Sequence, residues 1–223
     1  MKKNLFNIVL LLGGILISSI AFTQSDDAFS YVERYNQKLD SIKNYQAVFT
    51  VKSDIPLLKI PVSSGKMFFK WPAHYSISTY QFTVMPKRKL TPVTRFLRRS
   101  DFKVLDRGIE MVNKHKCKVV ELYPYDTTSV VSQYTIWVDI ATYMVRRVFV
   151  LENDGSEYFY HYTYQNGSDL LPSKLFYTFN YVLPHVQNVL LNPVALNNDV
   201  ESSKVFEGKI TINFEYSNIR KFH

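Results

Sequence analysis

Residues 134–164 read YTIWVDIATYMVRRVFVLENDGSEYFYHYTY, and the spacing of their apolar positions decides the fold class. Three runs rich in β-branched and aromatic residues, 133–139, 143–152 and 157–165, are separated by turn residues, as in consecutive β-strands. Asn153-Asp154-Gly155 lies between the second and third, and Asn and Gly tolerate the positive φ of a tight hairpin turn. The third run sets Tyr158, Tyr160, Tyr162 and Tyr164 on one side against Phe159 and His161 on the other, and the second is apolar on much of both faces. A sheet wet on one side needs only one apolar face. Something must therefore cover the second face of these strands.

Outward from this stretch the period stays at two. Strands are expected at 109–113, 117–123, 174–183 and 208–216, the last with Ile210, Ile212, Phe214 and Tyr216 opposite Lys209, Thr211, Asn213 and Glu215. Asn113-Lys114-His115 and Asn166-Gly167 are further turn signals. Tyr45, Ala47, Phe49 and Val51 alternate after Asn44; Ser64-Gly65 opens a strand through Trp71 that Pro72 ends, and the next runs from His74 to about Phe82. Residues 26–43 form the one long helix: Phe29, Val32, Tyr35 or Asn36, Leu39 and Ile42 recur at three- and four-residue steps, with Asp26 or Asp27 to cap it. Two segments break the pattern. Residues 86–100 place Val93, Phe96 and Leu97 at helical spacing after Thr91-Pro92, a short helix opened by a proline. Residues 184–200 are punctuated by Pro and Asn yet strongly apolar, an odd composition for a solvated loop.

The expected fold class is therefore α+β, mostly β. A single antiparallel sheet of this many strands has open edges or curls upon itself, with the helix and two short apolar segments available to plug its concave side. Two outcomes stay open at this point: the apolar surface is the ordinary core of a sandwich or filled barrel, or it lines a cavity.

At the N-terminus Lys2 and Lys3 precede an uncharged run from Phe6 to Phe22, with Ser19 and Ala21 placed for cleavage after Ala21. This is the layout of a secretory signal peptide. The alternative, an uncleaved anchor helix, needs a run nearer to the ~20 residues of a membrane span. Residues 1–21 are thus expected to be a signal peptide and 22–223 one domain, exported and soluble, with no Cys after the cleavage point to carry a lipid. Cys117 is the one cysteine, and its alternation with Val119 in an apolar run marks it as buried and inert.

The formal net charge is +8, or about +6 without Lys2 and Lys3. The excess is concentrated: Lys87, Arg88, Lys89, Arg95, Arg98, Arg99, Lys103 and Arg107 face only Asp101 and Asp106 in the same stretch. Such a local basic segment is either a solvated loop or a dock for an anionic membrane or acidic partner, and it is too narrow for a nucleic-acid footprint. Nucleophile elbows, phosphate loops, dinucleotide glycine patterns and zinc spacings are absent. Histidines 74, 115, 161, 185 and 223 do not cluster. Asp126 and Asp139 sit at strand ends, where turn and capping roles prevail. No catalytic residue, metal or cofactor is expected.

Several phrases in helix-then-strands order are similar to the LolA/LolB-type family of periplasmic lipoprotein carriers and sorting proteins. They are NYQAVFT (44–50), SGKMFFKWPAHYSI (64–77) with its Gly-led strand and Lys-x-Pro step, KCKVVELYP (116–124), YTIWVDIATYMVRRVFVLENDG (134–155) and LPSKLFYTF (171–179). TPVTRFLRR (91–99) resembles a lid helix, though the strand pair before it is shortened, and a family Arg that holds the lid has no match beyond the nearby Lys52 and Lys66. The resemblance implies an incomplete barrel wrapped around an N-terminal helix and short lid helices, with an apolar cavity for the acyl chains of lipoproteins or lipids. It implies no cofactor and no catalysis. The lining is expected to include Phe69, Trp71, Tyr75 and Ile77, which alternate on early strands, with Phe96 and Leu97 from the lid. Lys87, Arg88, Lys89, Arg95, Arg98 and Arg99 are expected to meet the membrane or partner. The function this implies is a periplasmic carrier or chaperone passing acyl chains towards the outer membrane. Its rivals are a protein-interaction or envelope-stress-sensing module of the same fold and an enzyme with a dispersed site.

Overall fold

Two-residue alternation carries the chain through ten strands that join in one antiparallel sheet. The computed structural model describes residues 25–56, 59–72, 74–79, 97–165, 170–182 and 205–222. Helix α1 (Ser25–Asp40) is followed by β1 (Ile42–Asp54), β2 (Ser63–Lys70), β3 (His74–Thr79), β4 (Phe102–Val112), β5 (His115–Pro124), β6 (Val131–Asp139), β7 (Val145–Glu152), β8 (Glu157–Thr163), β9 (Lys174–Val182) and β10 (Val205–Lys221). Their order is β3-β2-β1-β10-β9-β8-β7-β6-β5-β4. Sequential neighbours pair, except that β3 and β4 lie at opposite edges and the first strand is joined to the last. Among the described residues the sheet does not close, and β3 and β4 are its edges.

The helix fixes the curvature. Ala28, Phe29, Val32, Tyr35 and Leu39 form a fully buried stripe, and α1 packs on β4, β5 and β6 as well as on β1. Those strands lie towards opposite sides of the sheet order, so the sheet must curl around the helix to reach both. The outcome is the expected incomplete barrel on an N-terminal helix. The short lid helix expected within 86–100 falls largely outside the described residues, which hold only a single 3-10 turn, Arg99–Asp101, before β4, and the apolar segment 184–200 lies outside them altogether. The signal peptide expected over 1–21 and the Asn166-Gly167 turn also lie outside them.

Several boundaries differ from the sequence expectation, in three elements by three residues or more. The helix stops at Asp40, where the Ser41 hydroxyl donates to the Lys38 carbonyl (2.6 Å). Ile42 continues the helical spacing only by coincidence: a register irregularity between Ile42 and Gln46 turns both Ile42 and Tyr45 inward, three residues apart in a strand. On β10 the irregularity is met by Asn218 at φ 54. Next, β4 begins at Phe102, seven residues before the expected start, because its alternation is broken by a bulge between Asp106 and Ile109, with Gly108 at φ +83. Last, β10 continues to Lys221 alongside β1. The Asn113-Lys114 turn is as read: both residues have positive φ (47 and 70), the requirement of a type I′ hairpin.

The two apolar faces of β5–β7 are covered differently. Concave side chains join α1 in the main core. On the convex face Val112, Cys117, Val119 and Trp137 form a second, smaller core with Phe149. Among the described residues no helix covers it; the Arg147 guanidinium lies 5.2 Å from the Trp137 ring centroid, and the indole N–H donates to Glu110 (2.7 Å). Long side chains of the sheet thus supply the second cover that the sequence demanded.

Candidate binding face

Odd-numbered strands run one way and even-numbered strands the other, so the sheet has two distinct ends. At the lower end α1 meets the β6–β7 turn. Asp139 builds that turn: its Oδ1 accepts the backbone N–H groups of Ala141 (3.0 Å) and Thr142 (3.3 Å), and its Oδ2 accepts Arg146 and lies 2.8 Å from His115 Nδ1. Burial alone would raise the Asp139 carboxyl, but Arg146 and the two backbone donors outweigh it and hold the pKa below the ordinary value. The turn then grips the helix. Lys38 donates to the Thr142 carbonyl (2.6 Å), and Arg34 lies over the Tyr143 ring (4.8 Å) while donating to its hydroxyl. Behind it the Tyr164 hydroxyl donates to the Val145 carbonyl (3.0 Å).

Towards the upper end the concave face is lined by the sheet itself. Cross-strand register sets Val104, Leu122, Tyr134, Val150, Tyr158, Phe179 and Gly208 in one row across β4–β10. Every side chain in it is apolar or aromatic. Tyr158 lies nearly parallel to Tyr177 (6.0 Å, 8°), and Tyr177 stacks on Tyr160 (4.8 Å) and Phe179 (5.1 Å). Burial raises the phenols of Tyr160 and Tyr177, so both stay neutral. The row ends at Gly208, whose absent side chain leaves room for the Phe179 ring: a Cβ there would lie 2.4 Å from Phe179 Cζ. On the β1–β3 limb, nearer the lower end, Phe69 packs between Tyr45 (5.1 Å) and Tyr75 (4.9 Å). Tyr75, Leu97, Val131, Tyr134, Tyr158 and Phe179 pack on the core yet stay partly exposed.

Two long connections leave this same end: the chain departs after Thr79 and returns at Leu97, and departs after Val182 to return at Val205, which is paired with Val182.

No protein-family model matches the chain, and no curated protein matches it. Solved structures do. A LolA superfamily protein from Nitrosomonas europaea superposes with a TM-score of 0.50 at 11% identity, over 86% of this chain and 94% of that one. The fold is LolA-like. A DUF1329 family protein from Desulfovibrio piger matches it similarly, with a TM-score of 0.51 at 11% identity over 90% of this chain and 94% of its own.

Within this LolA-like frame the sequence-chosen residues separate. Phe69 and Tyr75 are a facing pair on the concave side, Ile77 follows opposite Met67 on the free edge strand, and Leu97 packs on the main core. Trp71 is not on that face. Strand β2 ends at Lys70, so the alternation that carries Met67 and Phe69 inward stops before it, and Trp71 is exposed in the turn at the lower end. Phe96 lies outside the described residues, as do Lys87, Arg88, Lys89 and Arg95. Arg98 is exposed, and Arg99 donates to the Phe102 carbonyl (3.0 Å). The basic stretch is not one element: Lys103 and Arg107 belong to β4, where Arg107 is paired with Glu121 (2.8 Å). Sequence reasoning missed Tyr134 and Phe179 as lining; each is an ordinary strand aromatic until cross-strand register puts both in one row.

His115 and Cys117 do not make a nucleophile pair. Cys117 is fully buried, and desolvation, with the nearby Asp139 charge, pushes its thiol up to about 11. His115 is turned to Asp139, and Asp126 caps its own turn by accepting the Thr128 N–H (2.8 Å). Among the described residues no group of His, Cys, Asp and Glu could hold a metal ion, and no helix is long and apolar enough to cross a membrane.

Proposed function

We propose that this chain is a periplasmic carrier or chaperone that accepts acyl chains of lipoproteins or lipids against the upper concave face of its sheet. The observation that carries the reading is the apolar row from Val104 to Gly208, partly exposed at Tyr134, Tyr158 and Phe179, at the end of the sheet from which both long connections depart. The likeness of the fold to a LolA superfamily protein supports it. Each methylene withdrawn from water contributes about 0.8 kcal/mol, so part of an acyl chain suffices for useful affinity after the costs of association. Specificity stays loose, because the row offers few hydrogen-bond donors. Residues 1–21 act as an export signal in this reading, 22–223 is the mature carrier, and no side chain is assigned a catalytic role.

The lining proposed here is Leu97, Tyr134, Tyr158 and Phe179 at the upper end, continued along the concave side by Tyr75 and Ile77 of the edge strand with Phe69 packed against Tyr75; Phe96 is proposed with them from the sequence, and lies outside the described residues. A fluorescent fatty-acid probe should bind the delipidated protein stoichiometrically, and Tyr158→Glu or Leu97→Glu should weaken it roughly tenfold or more without unfolding the protein. Native mass spectrometry of protein purified from its own cells should show a co-purified lipid mass. Failure of the delipidated protein to bind any acyl probe would overturn the reading in favour of a protein-interaction module.

A further inference from the structure

A different surface lies at the lower end. Trp71 and Phe222 are 45% and 46% exposed there, with ring centroids 5.6 Å apart in an edge-to-face pair. Both are anchored to the α1–β1 junction: the Trp71 N–H donates to the Lys43 carbonyl and the Phe222 N–H to the Ser41 carbonyl, each at 2.8 Å. Lys43 Nζ lies 5.7 Å from the Phe222 ring centroid. Lys70 and Arg220 are both in register with Asn44, and Lys221 with Ile42, so three further cations lie at the same end of these strands as the two aromatics. None of the four is ion-paired among the described residues. Asp40 closes α1 at the same junction. Phe68 and Ile219, close to half exposed, extend the apolar area along β2 and β10.

Exposed large apolar side chains on their own are unremarkable. What sets this pole apart is the fixed Trp–Phe pair among cations that have no ion pair among the described residues. An acidic protein partner would satisfy the cations but would need a pocket or groove to desolvate the rings, and the pair sits just beyond the ends of β2 and β10 with both rings about half exposed. A lipid headgroup layer satisfies both at once, since amphipathic rings settle at its depth and Lys and Arg meet its phosphates. We propose that this pole docks on an anionic phospholipid bilayer through Trp71 and Phe222, with Lys43, Lys70, Arg220 and Lys221 facing the headgroups. Docked in this way, the molecule holds its upper concave end away from the membrane that binds it.

The chain has two tryptophans. Trp137 is buried and hydrogen-bonded to Glu110, so a change in emission on adding vesicles reports Trp71. Vesicles of phosphatidylglycerol with phosphatidylcholine should shift the emission to the blue, brominated lipids should quench it, and raised salt should reverse both; phosphatidylcholine alone should do neither. The Trp71→Ser/Phe222→Ser double variant should sediment with anionic vesicles roughly tenfold more weakly, and Lys70→Glu/Lys221→Glu should do the same while keeping Trp71. Absence of vesicle binding would overturn the proposal. So would binding that survives both variants but is lost on charge reversal of Lys87, Arg88, Lys89 and Arg95, and so would salt-sensitive binding to soluble polyglutamate without binding to vesicles.

Discussion

Asp139 receives the Arg146 guanidinium through both Nε (3.2 Å) and Nη2 (2.9 Å) on a single oxygen, Oδ2, with both side chains almost wholly buried. The pair sits where β6 turns into β7 and beneath the contacts that hold α1, so it couples the hairpin to the helix. Removing one partner leaves the other as an uncompensated buried charge. Asp139→Ala should therefore lower stability by about 3–5 kcal/mol in urea unfolding.

The same carboxyl sets an acid limit. Its pKa is depressed in the folded state, so its stabilising contribution is fully present above the ordinary carboxylate value of about 4 and is lost as pH falls from there through the folded value. A series of urea midpoints against pH should show a shallower acid limb for Asp139→Asn than for the wild type. Parallel limbs would mean that other carboxylates carry the acid sensitivity.

Phe29 is a fully buried contact of α1 inside the curled sheet. Phe29→Ala should cost about 3–5 kcal/mol by the usual scale of large-to-small core changes. Hydrogen exchange should show faster opening in β4 and β5, which the helix covers, than in β8 and β9, which it touches less.

Cys117 should be nearly inert. With its thiol held near 11, the thiolate fraction at pH 8 is on the order of one in a thousand, and the sulfur is shielded as well. Labelling by a thiol reagent should proceed only in step with unfolding, and a rapid native-state reaction would contradict the buried placement.

Gly208 and Phe179 should behave as a unit. Gly208→Ala drives a methyl into the ring, an overpacking that costs about 1–3 kcal/mol. Phe179→Leu in the same chain should recover part of the loss, and a double-mutant cycle would measure the coupling.

Much of this architecture was legible because one period dominates it. Phe29, Val32, Tyr35 and Leu39 announce the helix, and the tyrosines from 158 to 164 announce a concave face, since each such pattern is local. Where two signals overlap, reading fails. Ile42 fits both a helix continuing from Leu39 and a strand entering the core, and only the Ser41 hydrogen bond decides between them. In β4 the charges of Lys103, Asp106 and Arg107 hid the inward pair Phe102 and Val104, because a bulge interrupts the alternation. The site was less legible than the fold. Tyr134, Tyr158 and Phe179 are far apart in sequence, and only the register of β6 to β9 brings them level; Trp71 misled because a strand end is invisible to a two-residue period.

The pairing of β1 with β10 has a kinetic consequence. A chain synthesised from its N-terminus completes α1 and the first three strands long before β10 exists, and those strands reach the rest of the sheet through β10 alone. Loop closure over nearly the whole length must precede the contacts that reward it, which makes for slow, high-contact-order folding. Until the last strand arrives, the early strands are an unpaired hairpin with exposed aromatic edges, prone to association. A chain cut short before Val205 would lose one strand from the middle of its sheet, leaving two fragments of sheet with no shared seam.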